Sequence, residues 1–287
     1  MERFKTGEWF PSLNEKKEQE KLKKIVPKKE RRKKSTKALI LELEDEEVKE
    51  IMAKNTELVN ESNPENVEDR FLYQKNLVEV YKKLAKILIN ELSKNRTSNS
   101  SLPLLFFAPL RGGELPEIVM KKEIDDAVEK ISIWPFKIRL ARIKKKGMLG
   151  VKEVFFESQP PDLKKLKKDV IIFDDCIAST VSIEALLDLI KEWSLAQGVS
   201  SKELKIWIAA AAATQRGIER LLYLAKEKYG FRNMKIIDGV LVFRMNSDFY
   251  LVDAENPTKY IVGDMGDWTE KLPEGFNDEA PWNKFRE

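Results

Sequence analysis

Between Asp69 and Lys94, apolar residues recur at Leu72, Leu77, Val80, Leu84, Ile87 and Leu88 with lysines and glutamates between them. This spacing predicts a helix with one buried face. The period then changes. The polar run Asn95 to Ser101 reads as a loop, and Leu102 to Leu110 as an almost uninterrupted apolar strand. There follow an amphipathic stretch at Glu117 to Val128, strands at Ile131 to Ile138 and Val151 to Phe156, and the very apolar strand Val170 to Phe173. The alternation continues with a helix at Ile183 to Trp193, a buried strand at Leu204 to Ala213, a helix at Gly217 to Lys228 and a strand at Lys235 to Arg244. Short buried strands alternating with amphipathic helices predict an α/β domain whose sheet is mostly parallel and covered on both faces.

Composition adds boundaries to this picture. A chain of 287 residues with 42% hydrophobic content buries a full core, enough for one large or two small domains. No run approaches the roughly 18 uncharged apolar residues of a membrane helix, and the charged N-terminus is not that of a secretory signal, so a cytoplasmic protein without a membrane partner is expected. A single cysteine, Cys176, fits a reducing compartment. There is no histidine, which excludes imidazole bases, His-based triads and HExxH zinc sites.

The net charge of +4 is unevenly placed: Lys16 to Lys37 holds 12 Lys or Arg against 3 Glu. Residues 1–38 are therefore expected to form a basic extension, partly helical and interrupted at Pro27, that solvates itself or attracts nucleic acid. The fold is expected over 39–273, with a tail at 274–287.

In an open α/β sheet, ligands bind beyond the carboxyl ends of the strands. Four strand ends stand out: Arg111-Gly112-Gly113, the run from Asp174 to Ser182, Thr214-Gln215-Arg216-Gly217, and Tyr260 to Asp267. The second places two carboxylates, then a small hydroxyl-rich turn, at the start of a helix. Such a site suits a ribose phosphate, with Asp174 and Asp175 accepting from sugar hydroxyls and Ser179, Thr180 and Ser182 beside the helix dipole for the phosphate. The bland reading is that Asp175 ends a strand and Ser179 or Thr180 caps a helix. Arg111 offers a forked donor for a diphosphate, and Gly112 and Gly113 let backbone N–H groups approach it. Cys176 reads as packing rather than as a nucleophile.

With these pieces in this order, residues 70 to 272 resemble the type I phosphoribosyltransferases, and among them are most similar to uracil phosphoribosyltransferase. Ala108-Pro109-Leu110-Arg111-Gly112-Gly113 is similar to that family's Pro-Ile-Leu-Arg-Ala-Gly, and Asp174 to Ser182 to its Asp-Pro-Met-Leu-Ala-Thr-Gly-Gly-Ser. Thr214-Gln215-Arg216-Gly217-Ile218-Glu219 falls at its Ala-Pro-Glu-Gly-Ile, and Tyr260 to Asp267 at its Tyr-Ile-Ile-Pro-Gly-Leu-Gly-Asp. The resemblance implies a central, mostly parallel sheet with helices on both faces, a small hood and a preceding helical extension, in a homodimer.

By the same resemblance, Arg111, Gly112, Gly113 and Lys146 bind the diphosphate of phosphoribosyl diphosphate, and Asp174, Asp175, Cys176, Ile177, Ala178, Ser179, Thr180, Val181 and Ser182 hold its ribose phosphate. Ile261, Gly266, Asp267 and Trp268 form the base-binding segment, with Asp267 facing the sugar diphosphate. Arg111, Asp174, Asp175 and Asp267 carry catalysis, and Mg²⁺ arrives with the diphosphate rather than in a protein-only metal site. The implied reaction joins a nucleobase, expected to be a uracil-like pyrimidine, to phosphoribosyl diphosphate. A catalytically silent relative that binds a nucleotide or RNA is the alternative. One departure bears on both: the family's Thr-Gly-Gly-Ser turn stands here as Ser179-Thr180-Val181-Ser182. A β-branched Val181 is expected to resist φ > 0 at about 1 kcal/mol or more.

Overall fold

The computed structural model describes residues 2–5, 39–42, 45–94, 104–109, 114–127, 133–145, 148–156, 162–165, 168–242, 244–245, 251–252, 256, 258–261 and 268. The strands of its main sheet are β1 (Glu2–Lys5), β2 (Leu39–Glu42), β3 (Leu104–Pro109), β4 (Ile133–Lys145), β5 (Met148–Phe156), β6 (Asp169–Phe173), β7 (Cys176–Ile177), β8 (Lys205–Thr214) and β9 (Asn233–Val242), and a separate antiparallel pair joins β10 (Arg244–Met245) to β11 (Leu251–Val252). The main sheet has the order β1-β5-β4-β3-β6-β8-β9-β2, with the short β7 continuing the line of β6 along β8. The pairs from β4 through β3, β6, β8 and β9 to β2 are all parallel. The β4–β5 and β1–β5 pairs are antiparallel. The mostly parallel α/β sheet expected from the hydrophobic pattern is therefore present.

Strand alternation decides what covers each face, because successive side chains point to opposite sides. Leu104, Phe106, Ile171, Phe173, Trp207 and Ala209 face one core, which the helices α1 (Glu46–Glu61), α2 (Val67–Lys94) and α3 (Glu114–Ala127) complete. Leu105, Phe107, Val170, Ile172, Ile206 and Ile208 face the other, under α4 (Val181–Ala196) and α5 (Gln215–Leu224). Alanines run from Ala209 to Ala213 along β8. Where α2 crosses that strand even a Cβ at Gly239 would meet the Ala211 carbonyl oxygen at 2.5 Å and Val80 at 3.2 Å.

The first helix and β2 were not expected from the sequence. Asp45 caps α1 by accepting from the Glu47 N–H at 2.9 Å, with Glu46 and Glu47 in the first turn. The cap and the apolar spacing Val48, Ile51, Met52, Val59 were the available signals. Glu2–Lys5 of the basic extension pair with Glu153–Phe156 of β5, whereas Lys16 to Lys37 lie outside the described residues. No helix among the described residues is long and apolar enough to cross a membrane.

Candidate functional site at the carboxyl ends of the parallel strands

At the end of β6 the backbone is held to β8 while the side chains enter the loop. The Asp174 N–H donates to the Ala209 carbonyl at 3.1 Å, and the Asp175 carbonyl accepts from the N–H groups of Ala211 (3.1 Å) and Ala212 (3.4 Å). The Asp174 carboxylate is buried and its Oδ1 accepts from the Asp175 N–H at 3.0 Å, while Asp175 is half-buried. Two carboxylates are thus fixed beside each other on rigid backbone. Cys176, on β7, is half-buried and packs against the core under α2.

Thr180, immediately before α4, has φ 65° and ψ −5°, and it is the only non-glycine residue with positive φ among those described. The strain expected at Val181 falls one position earlier, since Val181 is already the first residue of the helix. A left-handed threonine costs about 1–2 kcal/mol. Its hydroxyl lies 2.6 Å from the Ser179 carbonyl and 2.5 Å from Glu184 Oε1, and donates to one of them at a time. Facing inward, it makes no capping bond to the helix, whereas Asp45 and Thr214 cap α1 and α5. The first-turn N–H groups of Val181, Ser182 and Ile183 precede any intrahelical acceptor, so they and the positive end of the helix dipole are left for an anion. Ser179 is half-buried and Ser182 nine-tenths buried beside them.

Ile261 and Trp268 of the expected base segment are held by the first two helices. The Thr56 hydroxyl donates to the Ile261 carbonyl at 2.5 Å, and the Ile261 N–H donates to the carbonyl of Leu251 at 2.9 Å. Asn60 both donates to the Tyr260 carbonyl (2.7 Å) and accepts from its N–H (2.9 Å). Gln74 Nε2 donates to the Trp268 carbonyl at 2.9 Å, and the buried Trp268 ring packs 5.1 Å from that of Tyr73. The N–H of Ile261 is thus engaged within the protein, and the Trp268 ring belongs to the core beneath α2. Neither Thr56, Asn60 nor Gln74 was singled out in the sequence. A polar residue on the apolar face of a helix, as Gln74 is between Tyr73 and Leu77, was the one signal.

Arg111, Gly112, Gly113, Lys146, Gly266 and Asp267 lie outside the described residues. Their neighbours are described: β3 ends at Pro109 beside Ile138 of β4, and β4 then continues to Lys145, paired only with β5. At about 3.3 Å per residue the hairpin extends roughly 20 Å past the end of β3, on the side of the sheet where Asp174 and Asp175 stand. Among the described residues there is no group of three or more His, Cys, Asp or Glu able to hold a metal ion by themselves.

Compared with known proteins, the chain matches no family model and no curated sequence. Its fold is similar to that of the AQ2163 protein from Aquifex aeolicus, with a TM-score of 0.51 and 19% identity over 82% of this chain and 100% of that one. Two solved phosphoribosyltransferases align at lower scores. The hypoxanthine phosphoribosyltransferase from Staphylococcus aureus gives 0.37, at 14% identity over 58% of this chain and 76% of its own. The adenine phosphoribosyl transferase from Trypanosoma brucei, in complex with AMP, pyrophosphate and ribose-5-phosphate, gives 0.35, at 14% identity over 57% and 64%.

Proposed function

We propose that this chain is a phosphoribosyltransferase that joins a nucleobase, a uracil-like pyrimidine, to phosphoribosyl diphosphate. The observation that carries this reading is the open helix N-terminus after Thr180, set beside the fixed carboxylates of Asp174 and Asp175 at the end of a central parallel strand. It joins an anion site to a sugar-hydroxyl site, and the sequence motifs around Arg111 and Tyr260 supply the two remaining parts.

In the reaction the bond from the anomeric carbon to the diphosphate oxygen breaks with its electron pair on the diphosphate, a ring nitrogen of the base forms the new glycosidic bond, and that nitrogen's proton is released. Positive charge grows on the ribosyl carbon and negative charge on the leaving group, so the protein's task is electrostatic. Asp174 and Asp175 accept from the ribose hydroxyls and favour the cation. The N–H groups of Val181, Ser182 and Ile183 anchor the 5′-phosphate, which fixes the sugar for in-line attack. Arg111 and Lys146 act on the diphosphate. Asp174 and Asp175 are hard oxygen donors, and Mg²⁺ is commonly held by one or two carboxylates together with substrate phosphates, so this pair fits a cation brought by the diphosphate. Such an ion supplies charge neutralisation on the leaving group.

The test is to incubate the protein with phosphoribosyl diphosphate, Mg²⁺ and each nucleobase in turn and to measure nucleotide and diphosphate. Asp175→Asn and Arg111→Ala should each lower turnover by at least about 100-fold. No diphosphate with any base, or wild-type turnover in both variants, would remove the reading.

A further inference from the structure

The segment Thr214 to Glu219 follows a strand end, and through Thr214 and Gly217 it packs against the backbone that leads to Thr180. Thr214 caps α5, and Gly217 and Arg220 follow at successive steps of three along it. The Thr214 hydroxyl lies 3.3 Å from both the Ile177 and the Ala178 carbonyl oxygens and accepts from the Gly217 N–H at 2.9 Å. A Cβ at Gly217 would meet the same two carbonyls at 2.8 and 3.0 Å. One turn on, Arg220 Nε and Nη2 donate to Oε1 and Oε2 of Glu184 at 2.5 and 3.2 Å. The Glu184 side chain is fully buried, and its Oε1 is the atom that Thr180 also reaches.

We propose that Glu184 and Arg220 are positioning residues that hold the glycine-free turn in its left-handed conformation, so that Thr180 does by hydrogen bonding what a glycine does by lacking a Cβ. The proposal rests on the reading of this turn as a phosphate site. Unbraced, a threonine returns to negative φ, which rotates the Thr180–Val181 peptide and misaims the first N–H group of α4. The hydroxyl's bond to a carboxylate is of the stronger, charge-assisted kind. Arg220 pairs with that carboxylate in a forked geometry, which offsets the cost of burying it. The same pairing cancels a negative charge in the first turn of α4, which would otherwise oppose an incoming phosphate at that helix end.

The deciding experiment separates bracing from general stability by offering glycine as a cure. Replacing the pair with apolar residues of similar length, Glu184→Met with Arg220→Met, leaves no buried charge alone. Titrated calorimetrically with phosphoribosyl diphosphate and Mg²⁺, this variant should bind about tenfold more weakly, equivalent to about 1.4 kcal/mol. Adding Thr180→Gly to it should restore affinity to within about threefold of wild type. Thr180→Val, which keeps the shape and loses the hydroxyl, should weaken binding like the paired variant and decides the matter should that variant not fold. Amide exchange at Val181, Ser182 and Ile183 without ligand should follow the same order: faster in the unbraced forms, slow again with glycine. Undiminished affinity in the unbraced variants, or no recovery with glycine, would overturn the proposal. If wild type itself binds no phosphoribosyl diphosphate, the functional reading falls and the exchange pattern alone decides whether the brace exists.

Discussion

Tyr81 shows how a single hydroxyl can be out of balance. Its ring is fully buried on α2 in the core that includes Phe173, and its hydroxyl has no hydrogen-bond partner among the described residues. Burial, and after it the charge of Asp175, holds the phenol well above its ordinary pKa, so it stays neutral. A buried hydroxyl without a partner costs about 1–3 kcal/mol. Tyr81→Phe should therefore keep or raise the melting temperature of the ligand-free protein, and a drop of several degrees would show that the hydroxyl is bonded after all. At this scale the sequence was informative about residue type and poor about direction. Asp174, Asp175 and the turn at Thr180 were legible because a strand, two carboxylates and a helix start follow one another within nine positions. The inward rotation of the Thr180 hydroxyl was not, because its cause, Glu184 with Arg220, involves a partner 36 residues further along the chain. Nor was it legible that the ring of Trp268, a residue expected to offer backbone groups to the base, packs on Tyr73, almost 200 positions earlier.

Among the helices, α5 approaches a neighbouring backbone closely at Gly217. Gly217→Ala would place a methyl 2.8 Å from the Ile177 carbonyl oxygen, backbone that cannot move without disturbing the turn that leads to Thr180. Such overpacking costs about 1–3 kcal/mol. The variant should melt earlier and also bind phosphoribosyl diphosphate more weakly, whereas at Gly198, with open space around it but φ +67°, the same change should cost only stability. Measuring both variants by melting and calorimetry separates the two kinds of glycine. The pattern located the central strands, the two-residue β7 apart, because strands buried on both faces read as short apolar runs, and the helices α2 to α5 because their apolar positions recur at helical spacing. It missed α1, whose mean hydropathy is low and whose buried set includes Asn55 and Thr56. Those polar residues are inside because they bond across elements, Asn55 to the Tyr73 carbonyl at 3.3 Å and Thr56 to Ile261. A pattern of apolar positions does not register a helix whose buried face is partly a set of hydrogen bonds.

Across the whole molecule, one cluster ties helix to sheet at the end remote from the candidate site. Lys235 of β9 and Lys94 both donate to Glu91 of α2, at 2.8 and 2.7 Å, and the Lys235 ammonium stands 4.3 Å over the Trp207 ring. Hydrogen bonds from Lys235 and then Lys94 hold the Glu91 carboxyl below its ordinary pKa in the folded state. A depressed folded pKa means that the unfolded chain binds the proton first. The stabilisation is therefore complete above the unfolded value of about 4.3 and is lost as pH falls through the lower folded value. Glu91→Gln should melt earlier than wild type at about pH 7, and the gap should close towards about pH 3; a gap that stays constant would assign the loss to packing alone.

The two outermost strands of the sheet, β1 beside β5 and β2 beside β9, both come from the first 42 residues. During synthesis the borders are made before anything they border. Emerging at about 5–20 residues per second, β2 must wait roughly 10–40 s for Val242 to complete β9, and through that interval its unpaired backbone is a template for any other strand it meets. β2 is thus made early and paired late, its hem closed only when the far end of the sheet's sequence has arrived.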